Sequence, residues 1–247
     1  MKKLIQKVVT RSFNAIGLDV VRQGHARRWG SRMRHAKDLG FSPKAILDGG
    51  AFRGLWAKEA AEIFPGAQLV VVEPNPVLQE IIARNVAGIN PAPKIVEAAL
   101  GETSGTAPFN IWHDADNDQG ASLLDHVSGK AGKVVDVKVE TLDGIAERLS
   151  FKPELLKLDL QGGELAALNG GQEVLRHAEL VLVEFGCLEA YVGRTTPRQL
   201  IDKLYDSGFC LYDIVDMHNR PYDGALTGGD FFFIRTTSAL RSHKGYE

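Results

Sequence analysis

Residues 46–76, ILDGGAFRGLWAKEAAEIFPGAQLVVVEPNP, constrain the fold more than any other stretch of this chain. A short apolar run ends in Asp48 and Gly49-Gly50, and a turn closes at Gly54. A helical segment follows, and a second apolar run ends in Glu73. The pattern predicts a strand, a glycine turn, a helix and a strand finishing in an acid. Glycine lets the backbone take positive φ and approach another group closely. A helix starting near Arg53 aims free N–H groups at whatever sits over the turn. An acid ending the second strand of such a unit is placed to accept hydrogen bonds from a ribose diol. The segment therefore reads as a nucleoside-cofactor site; the alternative is a glycine turn that binds nothing.

The glycine spacing narrows the nucleoside. A dinucleotide turn is G-x-G-x-x-G, its second glycine clearing room for a pyrophosphate. Here the order is Asp48-Gly49-Gly50-Ala51-Phe52-Arg53-Gly54, so a bulky ring stands two residues after Gly50. That ring would meet a pyrophosphate. A cofactor without phosphate, carrying an amino-acid tail and a sulfonium, needs only a tight turn and a few backbone donors.

Downstream, the periods alternate. Strands are expected at 45–49, 69–73, 94–100, 154–160 and 179–186, with helices at 53–64, Pro76 to about Val86, 142–149, 164–176 and 197–207. Residues 106–112 and 133–141 alternate like paired, half-exposed strands. Strand–helix alternation implies a doubly wound, mainly parallel sheet. The last two strands, 210–216 and 230–235, are joined by MHNRPYDGALTGG, which has no helical period. A parallel return needs a crossover, so this pair is expected to be antiparallel.

By residue 186 the chain resembles the FkbM family of methyltransferases. The likeness spans about 44–235 and is carried by ILDGGAFRG, VVVEPNP, AALG (98–101), ASLL (121–124), VETLD, LLKLDLQGGELAALNGG, LVLVEF and DFFFI. It implies a Rossmann-like methyltransferase fold: a seven-stranded, mostly parallel sheet with an antiparallel last strand. It also implies S-adenosylmethionine as cofactor and O-methylation of a sugar, glycan or similar polyhydroxylated metabolite. Residues 1–43 are then a basic helical N-terminal extension, 44–240 the methyltransferase domain and 241–247 a tail.

Ligands of an open α/β sheet sit beyond the carboxyl ends of its strands. Asp48 and the Gly50, Ala51, Phe52 and Gly54 backbone are assigned to the methionine moiety, Glu73 to the ribose. Ala98, Ala99 and Leu100 are assigned to the adenine edge, or else are plain core. Ser122 joins the set through the family-like ASLL. Asn75 is counted with the cofactor residues and also reads as a cap before Pro76. Asp159, Glu164 and Glu184 are the candidates for taking the acceptor's proton. Glu164 reads equally as a helix-capping acid. Lys157 reads as a structural or substrate-facing cation, and Tyr191 and Arg194 as sugar contacts or as surface.

Composition excludes several classes. The 247 residues are 44% hydrophobic and 24% charged, ordinary for a soluble globular protein. Cys187 and Cys210 give no disulfide or zinc framework, no apolar run approaches a membrane span, and residues 1–16 lack a secretory core. A cytoplasmic protein without a nucleic-acid partner is expected. Asp114, Asp116 and Asp118 only faintly resemble a calcium loop, since Gln119 and Asp125 stand where Gly and Glu are needed. Residues 1–40 hold ten Lys or Arg against Asp19 and Asp38. Lys3, Lys7 and Arg11 line one face of a helical period, so residues 1–22 suit peripheral contact with an anionic membrane or packing on the main domain. Ala26, Trp29, Met33, Ala36 and Leu39 predict a second helix, a lid or packing arm. Two other functions compete: a nicotinamide-dependent sugar oxidoreductase, which Phe52 disfavours, and a membrane-attached binding protein on a methyltransferase scaffold.

Overall fold

Short apolar runs covered on both faces become the central strands. β1 (Ala45–Gly49) and β7 (Leu155–Leu158) are buried at every position, and β2 (Gln68–Val72) and β8 (Leu180–Gly186) nearly so. The computed structural model describes residues 27–112, 120–129, 132–243 and 245. The helix expected over 1–22 and the loop of Asp114, Asp116 and Asp118 lie outside the described residues.

A seven-stranded sheet runs in the order β3-β2-β1-β7-β8-β10-β9, with β3 at Lys94–Val96, β9 at Phe209–Asn219 and β10 at Leu226–Arg235. β1 pairs in parallel with β2 and β7, β2 with β3, and β7 with β8. β10 is antiparallel to both β8 and β9, the expected hairpin return. Both hairpin strands outrun their sequence limits, so the connector shrinks to residues 220–225.

Alternation along each strand divides the core. Leu47, Phe231 and Phe233 pack with α4 (Leu142–Leu149), α5 (Glu164–Asn169), α6 (Gln172–His177) and α7 (Pro197–Asp206). Ile46 and Phe232 face the other way, against α1 (Trp29–Asp38), α2 (Leu55–Ile63) and α3 (Gln79–Asn85). Burying each such phenylalanine contributes roughly 1.5–3 kcal/mol. Caps mark the helix starts. Thr196 and Gln199 form a reciprocal capping box on α7, and Asn75 accepts from the Val77 N–H at 3.1 Å, opening a 3₁₀ turn that leads into α3.

Two expected elements are divided. The 94–100 strand ends at Val96, where Ala98 N donates to Val96 O and turns the chain beside exposed Glu97. β4 (Ala99–Leu100) then joins a second sheet, β4-β6-β5, with β5 at Gly105–Ile111 and β6 at Lys133–Glu140. The 164–176 helix breaks at Gly170-Gly171. A Cβ on Gly170 would lie 2.3 Å from the Gly101 carbonyl, and one on Gly171 would lie 2.7 Å from Leu142, so the break lets two neighbours approach.

The helix at α1 packs on α2 and the hairpin. Met33 and Ala36 are buried, whereas Leu39 lies past the helix end and is exposed. Trp29 N donates to Asp216 at 2.6 Å, Arg32 pairs with Asp213 at 2.7 Å, and the Trp29 and Trp56 rings lie 4.9 Å apart. Both cysteines are free, and no helix among the described residues is long and apolar enough to cross a membrane.

Candidate active site

A cavity of about 680 Å³ opens where β1, β2, β7 and β8 end. Its wall brings together nine of the residues expected from the sequence: Gly50, Ala51, Phe52, Glu73, Ala98, Ala99, Leu100, Asp159 and Glu184. The floor is the turn after β1. Gly50 sits at φ +71, and a Cβ there would stand 1.8 Å from the Asp159 carbonyl, so no other residue fits. Phe52 also takes positive φ, which turns its N–H onto Glu73 Oε2 at 2.8 Å. Asn75 N donates to Glu73 Oε1 at 3.0 Å. Two backbone donors thus fix the Glu73 carboxylate at the wall, each oxygen keeping a lone pair. Burial pushes its pKa up to about 7 against those two N–H bonds.

Five expected site residues do not line the cavity. Asp48 is wholly buried beneath the turn, 3.2 Å from Lys157 Nζ. Burial raises its pKa and Lys157 pulls it down. Gly54, at φ +73, is the N-cap of α2. Asn75 is spent on its cap. Ser122 Oγ donates to Gln161 O and accepts from Leu124 N, each at 3.1 Å. Glu164 is not placed to receive a proton from an acceptor. It is buried, and its Oε1 accepts from Leu160 N at 2.9 Å and Gly162 N at 3.0 Å, holding the loop after β7. Burial raises its pKa while those N–H groups lower it.

Lys157 is a buried cation that also lines the cavity. Its ammonium donates to Gly50 O at 2.9 Å and lies 3.6 Å from Asp159. Burial opposes the charge, but Asp48 and then Asp159 hold its pKa well above the ordinary lysine value. Gln161, at φ +53, donates to Asp159 at 2.9 Å and more weakly to Glu184 at 3.3 Å. Tyr191 and Arg194 do not reach the cavity. Tyr191 is buried with its hydroxyl 2.8 Å from Gly120 O, and Arg194 packs over Gly186.

Asp230, His218, Trp29 and Trp56 also line the cavity and were not expected. The signal for Asp230 was its place opening DFFFI, a charge at the mouth of an apolar strand. Burial and then Asp159 push its pKa up to about 7, with Lys157 offsetting. Glu184 is likewise raised well above the ordinary glutamate value, by burial and then by Asp159 and Glu164. The inner end of the cavity therefore crowds carboxyl groups that hold their protons more readily than free ones. Among the described residues no cluster has the arrangement of a metal site.

Known proteins resemble this chain. Methyltransferase sdnD of Sordaria araneosa is 28% identical, over 60% of this chain and 68% of its own length. The 2-O-methyltransferase NoeI of Sinorhizobium fredii is 25% identical, over 64% of this chain and 70% of its own. The crystal structure of Methyltransferase FkbM from Methylobacillus flagellatus KT superposes with a TM-score of 0.53 at 15% identity, a likeness of fold. That superposition covers 83% of this chain and 48% of the other, so the chain spans about half that structure's length. The methyltransferase FkbM domain matches residues 48–211, which include the glycine turn, Glu73, Asp159 and Glu184. On that match the chain belongs to the FkbM family of methyltransferases.

Proposed function

We propose that this chain moves a methyl group from S-adenosylmethionine to a hydroxyl of a sugar, glycan or similar polyhydroxylated acceptor. The observation that carries the cofactor is the fixed Glu73 carboxylate beside the Gly50 turn. Its free lone pairs suit a ribose diol, the turn admits close backbone approach, and Ala98–Leu100 offer an apolar edge for a base. A volume of about 680 Å³ lies within the roughly 300–1,000 Å³ of small-molecule sites. When bound, this cofactor supplies a methyl already activated by sulfonium charge, beside a wall lined with carboxyl groups.

The acceptor's chemistry rests on the polar inner end. Asp159, Gln161, Glu184, His218 and Asp230 can receive several hydroxyl donors at once. Alignment of two bound reactants can supply roughly 7–11 kcal/mol, more than the factor of about 10²–10⁴ from a base. The relative named 2-O-methyltransferase supports transfer to oxygen.

Calorimetry with S-adenosylhomocysteine tests the cofactor assignment. Glu73→Ala is expected to weaken binding by roughly 1.5–3 kcal/mol, the range for hydrogen bonds to a charged group. Because the diol donates to the ionised carboxylate, wild-type affinity should fall as pH drops through about 7. Unchanged affinity in a folded Glu73→Ala protein would remove the assignment. Transfer of labelled methyl to simple methyl glycosides tests the acceptor class.

A further inference from the structure

Each carboxylate on the cavity wall except one is already engaged. Glu73 is held by two backbone N–H groups, Asp159 by Gln161 and Lys157, and Glu184 by the Gln161 amide. Asp230 lines the same cavity, yet among the described residues its side chain takes part in no hydrogen bond or ion pair. It stands directly opposite Glu184 in the β8–β10 register, so the two side chains leave the same face of the sheet. That face carries Leu182 and Phe232 inward and Glu184 and Asp230 toward the cavity. The Asp230 carboxyl is half-buried and open to the cavity, where a ligand can supply the donor that the protein does not.

We propose that Asp230 is the catalytic base that meets the acceptor hydroxyl at the point of methyl transfer. The inference rests on the cofactor reading above. In the step, the acceptor oxygen takes the methyl of the sulfonium donor. A C–O bond forms, the C–S bond breaks, and its electron pair stays on sulfur as a neutral thioether. The hydroxyl proton passes to Asp230 and then to water. Asp159 is less open to an acceptor hydroxyl, because Gln161 and Lys157 already engage its oxygens. Asp230, by contrast, is surrounded by Asp159 on the β7 side, Glu184 on β8, Glu164 on α5, and Asp216 and His218 on β9, with Lys157 the nearby cation. This acidic company, together with burial, keeps its proton affinity near neutrality. A base is most effective there.

The test needs no acceptor. Sinefungin, an S-adenosylmethionine analogue, carries a primary ammonium where the transferable methyl stands. Its affinity is compared by calorimetry with that of S-adenosylhomocysteine, which lacks any group there. Wild type should prefer the ammonium analogue by roughly tenfold or more, as expected of a charge-assisted hydrogen bond. The preference should grow between about pH 6 and about pH 8, as Asp230 loses its proton. Asp230→Asn should abolish most of the preference and its pH dependence while leaving S-adenosylhomocysteine affinity unchanged. A preference that is absent, flat with pH in wild type, or retained in the variant overturns the inference. If Asp230→Asn fails to fold, Asp230→Ser is measured in its place, because Glu184 lines the same wall and the wild-type series does not separate the two. If S-adenosylhomocysteine itself does not bind wild type, the cofactor reading falls and the base falls with it.

Discussion

Gly50→Ala should lower folding stability by roughly 2–5 kcal/mol, combining left-handed strain of about 1–2 kcal/mol with overpacking of about 1–3 kcal/mol. The new methyl would meet the Asp159 carbonyl, and neither side can retreat. Gly50 N is tied to Val72 O at 3.0 Å, and Asp159 N to Gly49 O at 3.1 Å. Relaxation would therefore open the sheet on one side of β1 or the other. Gly54→Ala is the control. Its φ is almost the same, at +73, but the nearest atoms to its methyl would be side-chain carbons of Val86 and Ile82 at 3.2 and 3.3 Å, which can give way, with backbone no nearer than 3.7 Å. Urea denaturation of both variants isolates the carbonyl clash. Equal losses would mean that the turn is looser than its hydrogen bonds imply. A folded Gly50→Ala protein should also bind S-adenosylhomocysteine poorly, because the displaced carbonyls line the cavity floor.

The parts of the site that could be read in the sequence are those set by neighbours in the chain. Gly50, Phe52 and Glu73 belong to one strand–turn–helix–strand unit, whose geometry follows from glycine spacing and period. Likewise, the missing helix between the last two strands was enough to make β10 antiparallel. What escaped depends on contacts between distant segments. Asp48 looked like a ligand to the cofactor because it crowns the first strand, but its side chain turns under the sheet to Lys157. Glu164 looked like a candidate base, but the backbone of its own loop occupies it. His218 reaches the cavity because β9 runs to Asn219, past the pattern that marked it, and Asp230, first residue of its expected strand, is brought there by its register opposite Glu184. The break of the 164–176 helix needed knowledge of Gly101 and Leu142 pressing on Gly170 and Gly171.

Lys157→Met is expected to cost roughly 3–5 kcal/mol, the penalty for leaving a buried charge without its partner. Methionine is unbranched and only one atom shorter, so the loss is chiefly electrostatic. The stranded group is Asp48, fully buried, and Gly50 O loses its ammonium donor as well. The penalty has a definite dependence on pH. Burial already raises the Asp48 pKa in the folded protein, and removing Lys157 takes away the contribution that lowers it. A carboxyl raised in the folded state destabilises that state above its unfolded pKa, and the cost grows with pH until the folded pKa is reached. Lys157 itself titrates far above neutrality and adds no slope there. The loss should therefore be larger at about pH 8 than at about pH 5, where the variant's Asp48 can hold a proton. Adding Asp48→Asn should recover part of the stability and flatten the profile. Chemical denaturation of the single and double variants at both pH values measures this directly. A loss below about 1 kcal/mol, or one that does not change with pH, would mean that water reaches Asp48. The pair would then not be what supports the Gly50 turn.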